Sequence, residues 1–188
     1  MRIGSHNSWT FRKADKWWMR LFNFITKCQR KDIATQLDLG AEIFDLRLRL
    51  VDGDWRVAHG ITTYNTLPIK DLKLLDNKGC YCRVLLEYNK EPDDVDWLCI
   101  RFDVLCRRLV ELYPNIKWFG GNCKWKWSKV AHDFGRKPPK FIDAYSSMAD
   151  KNKINDLWPY LWAKHHNKEY KKAFADTDDT LLMDFVEI

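Results

Sequence analysis

The alternation of apolar and polar positions is clearest between Ile43 and Leu50. Phe44, Leu46, Leu48 and Leu50 fall on one side, and Asp45, Arg47 and Arg49 on the other. A period of two predicts a β-strand with one polar face. A turn signal at Asp52 and Gly53 follows, and Trp55 to His59 predicts a paired strand. Arg2 to Gly4 predicts a short opening strand and Arg83 to Tyr88 a mostly apolar one. Ile116 to Phe119, Phe141 to Tyr145 and Leu181 to Val186 predict three more. Elsewhere the period becomes helical. Trp18, Leu21, Phe22 and Ile25 predict a helix over Lys16 to Cys28, and Asp32 to Leu39 a short one stopped by Gly40. Val95, Leu98, Phe102, Leu105, Leu109 and Leu112 form a stripe on a helix capped at Asp93 and running to about Tyr113. Ile154 to His165 is helical in pattern, with a break at Pro159.

Strands that alternate with helices predict an α/β fold with a mostly parallel sheet. Polar residues at the ends of several strands point to a (β/α) TIM-type barrel, whose site gathers at the C-terminal ends of the strands. Such barrels usually take about 250 residues. The 188 residues here predict one domain, 1–188, in a small or distorted barrel that lacks some helices. An open doubly wound sheet is the structural alternative. There is no repeat, low-complexity stretch or linker.

The net charge of +6 favours anionic partners: phosphoesters, anionic lipid surfaces or nucleic acid. Ten tryptophans exceed what a core of this size needs, so some are expected on a binding surface. No apolar run approaches the roughly 20 residues of a membrane span. The N-terminus, from Met1 to His6, has no apolar signal segment, so the expected location is cytoplasmic as written, or secreted if a leader was removed. Cys80 and Cys82 are too close for a zinc knuckle, Cys99 and Cys106 share a helix face, and all six cysteines are read as free.

Four short segments carry candidate chemistry: Gly4-Ser5-His6-Asn7-Ser8 after the first strand, Asp45-Leu46-Arg47 in the second, Val57-Ala58-His59-Gly60, and Leu86-Glu87-Tyr88. Singly, each has a structural explanation. Together, at predicted strand ends, they match what phosphodiester cleavage requires. Two imidazoles can serve as base and acid near neutral pH. An arginine fork can balance charge on the phosphate oxygens. Asp184, on the last strand, would lie beside His6 in a closed barrel and could hold its protonated ring.

These strings, with Gln36 to Arg47 between them, resemble the X region of phosphatidylinositol-specific phospholipases C over the first half of the chain and, more weakly, the last strand. The resemblance implies a PLC-like phosphodiesterase barrel with His6 as general base on the inositol 2-hydroxyl. His59 is then the general acid for the diacylglycerol oxygen, and a cyclic inositol phosphate is the product. It makes His6, His59, Arg47, Asp45 and Asp184 the catalytic set. Asn7, Glu87, Asp143 and Tyr145 are the candidates for substrate binding. Arg47 matches the calcium-free bacterial pattern, whereas Asn7, Asp45 and Glu87 match the calcium-binding one. Calcium takes about six to eight oxygen ligands, and an arginine within that shell repels the ion. No cofactor is therefore expected, with calcium at Asn7, Asp45 and Glu87 as the alternative.

Alternating Lys and Trp in Phe119 to Trp127 suit either a lipid interface or an edge strand packed on one face. For Trp17 and Trp18, the helical stripe favours the core. The expected partner is a phospholipid or another phosphodiester, with peripheral membrane contact and no stable nucleic-acid partner. Rival readings are a phosphodiesterase acting on another small diester, and a catalytically inactive module that binds lipid headgroups or nucleic acid.

Overall fold

A computed structural model describes the chain apart from residues 22, 89–91, 124–128, 151 and 157. Its centre is one eight-stranded sheet. Six strands run parallel in the order β7 (Phe141–Asp143), β8 (Thr180–Met183), β1 (Arg2–Ser5), β2 (Ala41–Val51), β5 (Tyr81–Leu86) and β6 (Lys117–Cys123). β2 has 11 residues and outruns its parallel neighbours. Its far end takes β3 (Asp54–His59) as an antiparallel partner, and β4 (Thr62–Thr66) pairs on β3. The sheet curls into a barrel that stays open. Among the described residues no strand pairs β6 with β7, and Phe119 and Phe141 face each other across that gap at 6.1 Å.

The curl sorts each strand by its period of two. Phe44, Leu46, Leu48, Cys82, Val84 and Leu86 point outward into the main core, against Leu98, Phe102, Leu105 and Leu109 of α5 (Val95–Leu112). Each such side chain contributes about 1.5–3 kcal/mol by leaving water. A second outer cluster joins Leu181 and Met183 to Ala144 and Trp162 of α6 (Ala144–Met148) and α7 (Pro159–Ala173). The inward positions form two levels. Ile43, Phe119 and Leu182, with Tyr81 and Phe141, make an apolar floor. Two residues further along four of those strands stand Asp45, Arg83, Asp143 and Asp184. The polar face of β2 thus lines the barrel, with Asp45 and Arg47 only 1% and 3% exposed.

Several local expectations are corrected. The helix expected over Lys16 to Cys28 is two short ones, α1 (Trp17–Leu21) and α2 (Asn23–Thr26), and Phe22 lies outside the described residues. Trp17 is 71% exposed and Trp18 39%, so the stripe that suggested a core position faces solvent. Asp94, not Asp93, caps α5 by accepting from Trp97 N at 2.8 Å, and Leu112 at its end is exposed. Pro159 opens α7 instead of breaking a helix, because the first helical position needs no N–H donor. β7 ends at Asp143, which puts Tyr145 on α6, and β8 ends at Met183. Sequence reading missed β4 and α4 (Ile69–Lys78); the latter buries Leu72 and Leu75 and stops at the left-handed Gly79. α3 (Ile33–Asp38) forms as expected, capped by Asp32. All six cysteines are free and buried. Among the described residues no helix is long and apolar enough to cross a membrane.

The apolar floor supports the charged level above it, so a cavity there is costly. Ile43→Ala is expected to lower the unfolding free energy by about 2–5 kcal/mol in urea titrations. A loss well under about 1 kcal/mol would show that the floor is not close-packed.

Candidate active site

The Gly4–Ser8 segment leaves β1 and turns against the middle of β2. Ser8 N donates to Asp45 O at 3.1 Å, Asp45 N to Ser8 Oγ at 2.8 Å, and Asn7 N to Asp45 Oδ2 at 3.2 Å. Asn7 adopts φ 46°, a left-handed conformation that Asn tolerates better than most residues. Three buried carboxamides fix the backbone around it. Gln29 Nε2 donates to His6 O (3.0 Å) and Met183 O (2.8 Å), which ties β1 to β8. Gln36 accepts from Ser5 Oγ and donates to Ser8 O. Asn167 Nδ2 donates to Asp184 O at 2.8 Å.

His6 lies between two carboxylates. Its Nδ1 is 2.7 Å from Asp184 Oδ1, and its Nε2 is 3.1 Å from Asp143 Oδ2. Arg47 Nη2 also stands 2.6 Å from Nε2. Arginine only donates, so this contact needs a lone pair on Nε2 and places the ring proton on Nδ1, toward Asp184. The imidazolium instead donates to Asp143. Burial opposes the charged ring, but Asp143 and Asp184 outweigh burial and Arg47 and raise its pKa well above the ordinary value. Nε2 is thus the atom whose protonation changes with its partner.

Arg47 holds the centre. Its Nε donates to Asp45 Oδ2 at 2.9 Å and its Nη1 to Glu87 Oε2 at 3.1 Å. Burial opposes its charge, but the carboxylates of Asp45, Glu87 and Asp143 outweigh burial and raise its pKa above the ordinary value. Asp45 is also held by Arg83 Nε at 2.8 Å; burial opposes its charge, but Arg47 and Arg83 keep its carboxyl well below the usual range.

His59 ends β3 on the other side. The ring centroids of His6 and His59 are 6.2 Å apart, and the rings stand nearly perpendicular at 77°. Glu87 Oε1 accepts from Gly60 N at 2.6 Å and lies 3.4 Å from His59 Nδ1. Burial again opposes charge, but the Cys28 sulfur and the Glu87 carboxylate raise the His59 pKa to about 9.

The structure brings His6, Asn7, Asp45, Arg47, His59, Glu87, Asp143 and Asp184 into one cluster. Tyr145, on α6, borders it: its ring packs on Trp162, its hydroxyl donates to Asp156 O at 3.1 Å, and burial together with the nearby Asp184 carboxylate and Cys28 sulfur pushes its pKa up to about 12. Sequence reading missed three neighbours. Arg83 pairs with Asp45 across the β2–β5 register, and its place between Tyr81 and Leu85 on the inward side of β5 was the available signal. Arg49 reaches Glu87 O at 3.0 Å. Cys28, fully buried, accepts from Asn7 Nδ2 at 3.4 Å, and no local pattern marks it.

No family model matches this chain, and no curated protein does. Solved structures do. The phosphatidylinositol-specific phospholipase C from Listeria monocytogenes aligns at TM-score 0.58 and 13% identity, covering 98% of this chain and 87% of its own. A mutant of the phosphatidylinositol-specific phospholipase C from Staphylococcus aureus aligns at TM-score 0.61 and 16% identity, covering 98% and 84%. Another Staphylococcus aureus structure, concerned with modulation of that enzyme's membrane binding, gives TM-score 0.60 at 16% identity and covers 98% and 85%.

The folded pKa of His59 stands above its ordinary value of 6.5. Protonated His59 therefore stabilises the fold fully below pH 6.5, and that contribution is lost as pH rises through about 9. In an NMR titration the His59 ring should titrate near pH 9, and Glu87→Gln should move the midpoint down toward 6.5. An unmoved midpoint would mean that Glu87 does not hold the proton there. The curled, open sheet and its agreement with these neighbours establish the fold of this chain as that of the bacterial phosphatidylinositol-specific phospholipases C, a TIM-type barrel left open between β6 and β7.

Proposed function

We propose that the chain cleaves phosphatidylinositol-type glycerophospholipids by acid–base chemistry at His6 and His59, without a metal ion. The observation that carries this reading is the pair of imidazoles, buried at His6 and half-buried at His59, facing each other across Arg47 and Asn7, each backed by its own carboxylate. A phosphodiester seated there takes the Arg47 guanidinium away from His6 Nε2 and onto its own oxygens. In molecules whose His6 is neutral, Nε2 then removes a proton from the hydroxyl next to the phosphate on the same substrate, so turnover rises as pH climbs toward the raised pKa of His6. That oxygen attacks phosphorus, a cyclic phosphate closes, and the bond to the glycerol oxygen breaks. His59, charged at neutral pH, gives its proton to the departing oxygen. Asp184 steadies the imidazolium formed at His6, and Arg47 offsets the negative charge that builds on phosphorus. Intramolecular attack needs no water held in place, which suits a dry and crowded site.

The donors named for calcium do not fit the ion. Asp45 and Glu87 are bridged by Arg47 at 2.9 and 3.1 Å, and Asp45 is also bound to Arg83. A hard dication there would have to displace two guanidinium groups and find most of about six to eight oxygens elsewhere. In this reading Arg47 supplies the positive charge.

Two surfaces favour a lipid with a polar headgroup over a small soluble diester. Beside Arg83, on the open side of the barrel, lies a cavity of about 500 Å³ lined also by Phe119, Asn122, His132, Arg136 and Phe141. Its size and its mixed lining, aromatic rings beside arginine, histidine and asparagine side chains, suit a sugar-like headgroup. At the rim, Trp17, Leu21, Phe24 and Ile25 of α1 and α2 are exposed, with Ile61 next to Gly60 and the cations Lys13, Lys16 and Arg20 around them. An exposed apolar patch ringed by basic residues suits an anionic membrane surface. The lysine- and tryptophan-rich stretch Lys124 to Trp127 lies outside the described residues.

Wild type should release water-soluble phosphorus from phosphatidylinositol vesicles in the presence of a chelator, and His6→Ala and His59→Ala should each lower the rate by about 100-fold or more. No release with chelator, restored by calcium, would return the site to Asn7, Asp45 and Glu87. On the rim, removing one fully inserted ring costs about 1.5–3 kcal/mol, or about ten- to hundredfold in vesicle affinity. Trp17→Ala should therefore weaken binding and turnover on vesicles while leaving turnover of a soluble inositol phosphodiester unchanged. An equal loss on both substrates would place Trp17 in the site itself.

A further inference from the structure

Cys28 neither gives nor takes a proton in this acid–base cycle, yet it sits among the groups that do. Its thiol is fully buried at the end of the loop after α2, and its backbone carbonyl accepts from Phe185 N next to Asp184. His6, Cys28 and Asp184 each present a ligand atom, and the three atoms lie within 4.8 Å of one another. The Asn7 side chain marks the point between them. Its Nδ2 stands 3.4 Å from Cys28 Sγ, 3.2 Å from His6 Nε2 and 3.5 Å from His59 Nε2. One amide nitrogen is therefore ringed by a sulfur and two imidazole nitrogens, the donor set that soft and borderline cations prefer. On the same groups, Asn7 Oδ1 and Asp184 Oδ2 are buried and have no hydrogen-bond partner among the described residues.

We propose that His6, Cys28 and Asp184 form a binding site for a thiophilic divalent cation of the Zn²⁺ class, completed by His59 or by Asn7 Oδ1 once the amide turns over. Ligand atoms around tetrahedral zinc stand roughly 3.3–3.8 Å apart, so the cluster, whose ligand atoms all lie within 4.8 Å, adjusts its spacing on binding. With Asn7 Oδ1 as fourth ligand, the Cys28 thiol proton and one proton from the His6 imidazolium leave to solvent as one dication enters, and the buried charge is unchanged; with His59 as fourth ligand, its extra ring proton leaves to solvent as well. Magnesium and calcium, which take oxygen ligands, have no comparable shell here. The site stands on geometry alone. Its consequence rests on the proposed function: a cation on His6 occupies the lone pair that the base needs, so zinc stops turnover in an enzyme that needs no metal.

Cobalt(II) is the probe, because thiolate ligation gives it a near-ultraviolet charge-transfer band that is read without any substrate. Added to the full chain, Co²⁺ should give that band together with the visible bands of a tetrahedral ion, and Zn²⁺ should abolish both. Cys28→Ala should lose the near-ultraviolet band and weaken Zn²⁺ by about 100-fold or more. Cys28→Ser, which nearly keeps the side-chain volume, should lose the band while its far-ultraviolet circular dichroism matches wild type. A band of unchanged strength in either variant would put the ion on another cysteine and overturn the proposal, as would the absence of any band in wild type. Loss of phosphodiesterase activity without a cobalt band would likewise refute the site. A cobalt band in a chain that cleaves no phosphodiester would sustain the site and refute only its consequence.

Discussion

A guanidinium group buried in the middle of a barrel must be neutralised, and the rest of this site follows from how Arg47 is. Stripping water from an ion costs several kcal/mol even after the protein relaxes. Asp45 and Glu87 offset that cost at 2.9 and 3.1 Å, one on the same strand and one just past the end of the next. Each carboxylate is then shared with a second group. Asp45 also receives Arg83 and the amide of Asn7, and Glu87 receives Gly60 N beside His59. The network therefore sets the positions of both histidines and the charge between them. Removing one member leaves its partners charged, buried and unpaired, which is why such clusters are intolerant of single substitutions.

The parallel barrel makes this network possible with few residues. Inward positions recur every second residue, so an apolar floor at Ile43, Phe119 and Leu182 places the next inward residue of β2 and β8 at the charged level. A closed barrel would hide these groups on all sides. Here, among the described residues, the sheet stops between β6 and β7, and the cavity next to Arg83 opens on that side.

Much of this was legible in the sequence because it lies in periodicity and local strings. The alternation from Ile43 to Leu50 located Asp45 and Arg47 on one face, and the strand order placed Asp184 beside His6, where the structure has them 2.7 Å apart. What periodicity does not reveal is direction. The tryptophans at 17 and 18 lie on an apolar helical stripe, yet the stripe faces outward; sequence alone does not say which side of a short helix the core occupies. Cys28 was illegible for another reason. It enters the site through the path of a loop, fixed by Gln29 and by the bond of Phe185 N to Cys28 O, and no spacing rule encodes that path. Arg83 fell between the two cases: its inward register was readable, but its partner became visible only when β5 was paired with β2.

The central claim is that His6, His59 and Arg47 cleave a phosphodiester by attack from within the substrate. Phosphorus NMR of phosphatidylinositol turned over by the wild-type chain, in the presence of a chelator, tests it most directly. A cyclic inositol phosphate should be the first phosphorus product to accumulate. A linear phosphate with no cyclic precursor, or no product until calcium is supplied, would contradict the claim.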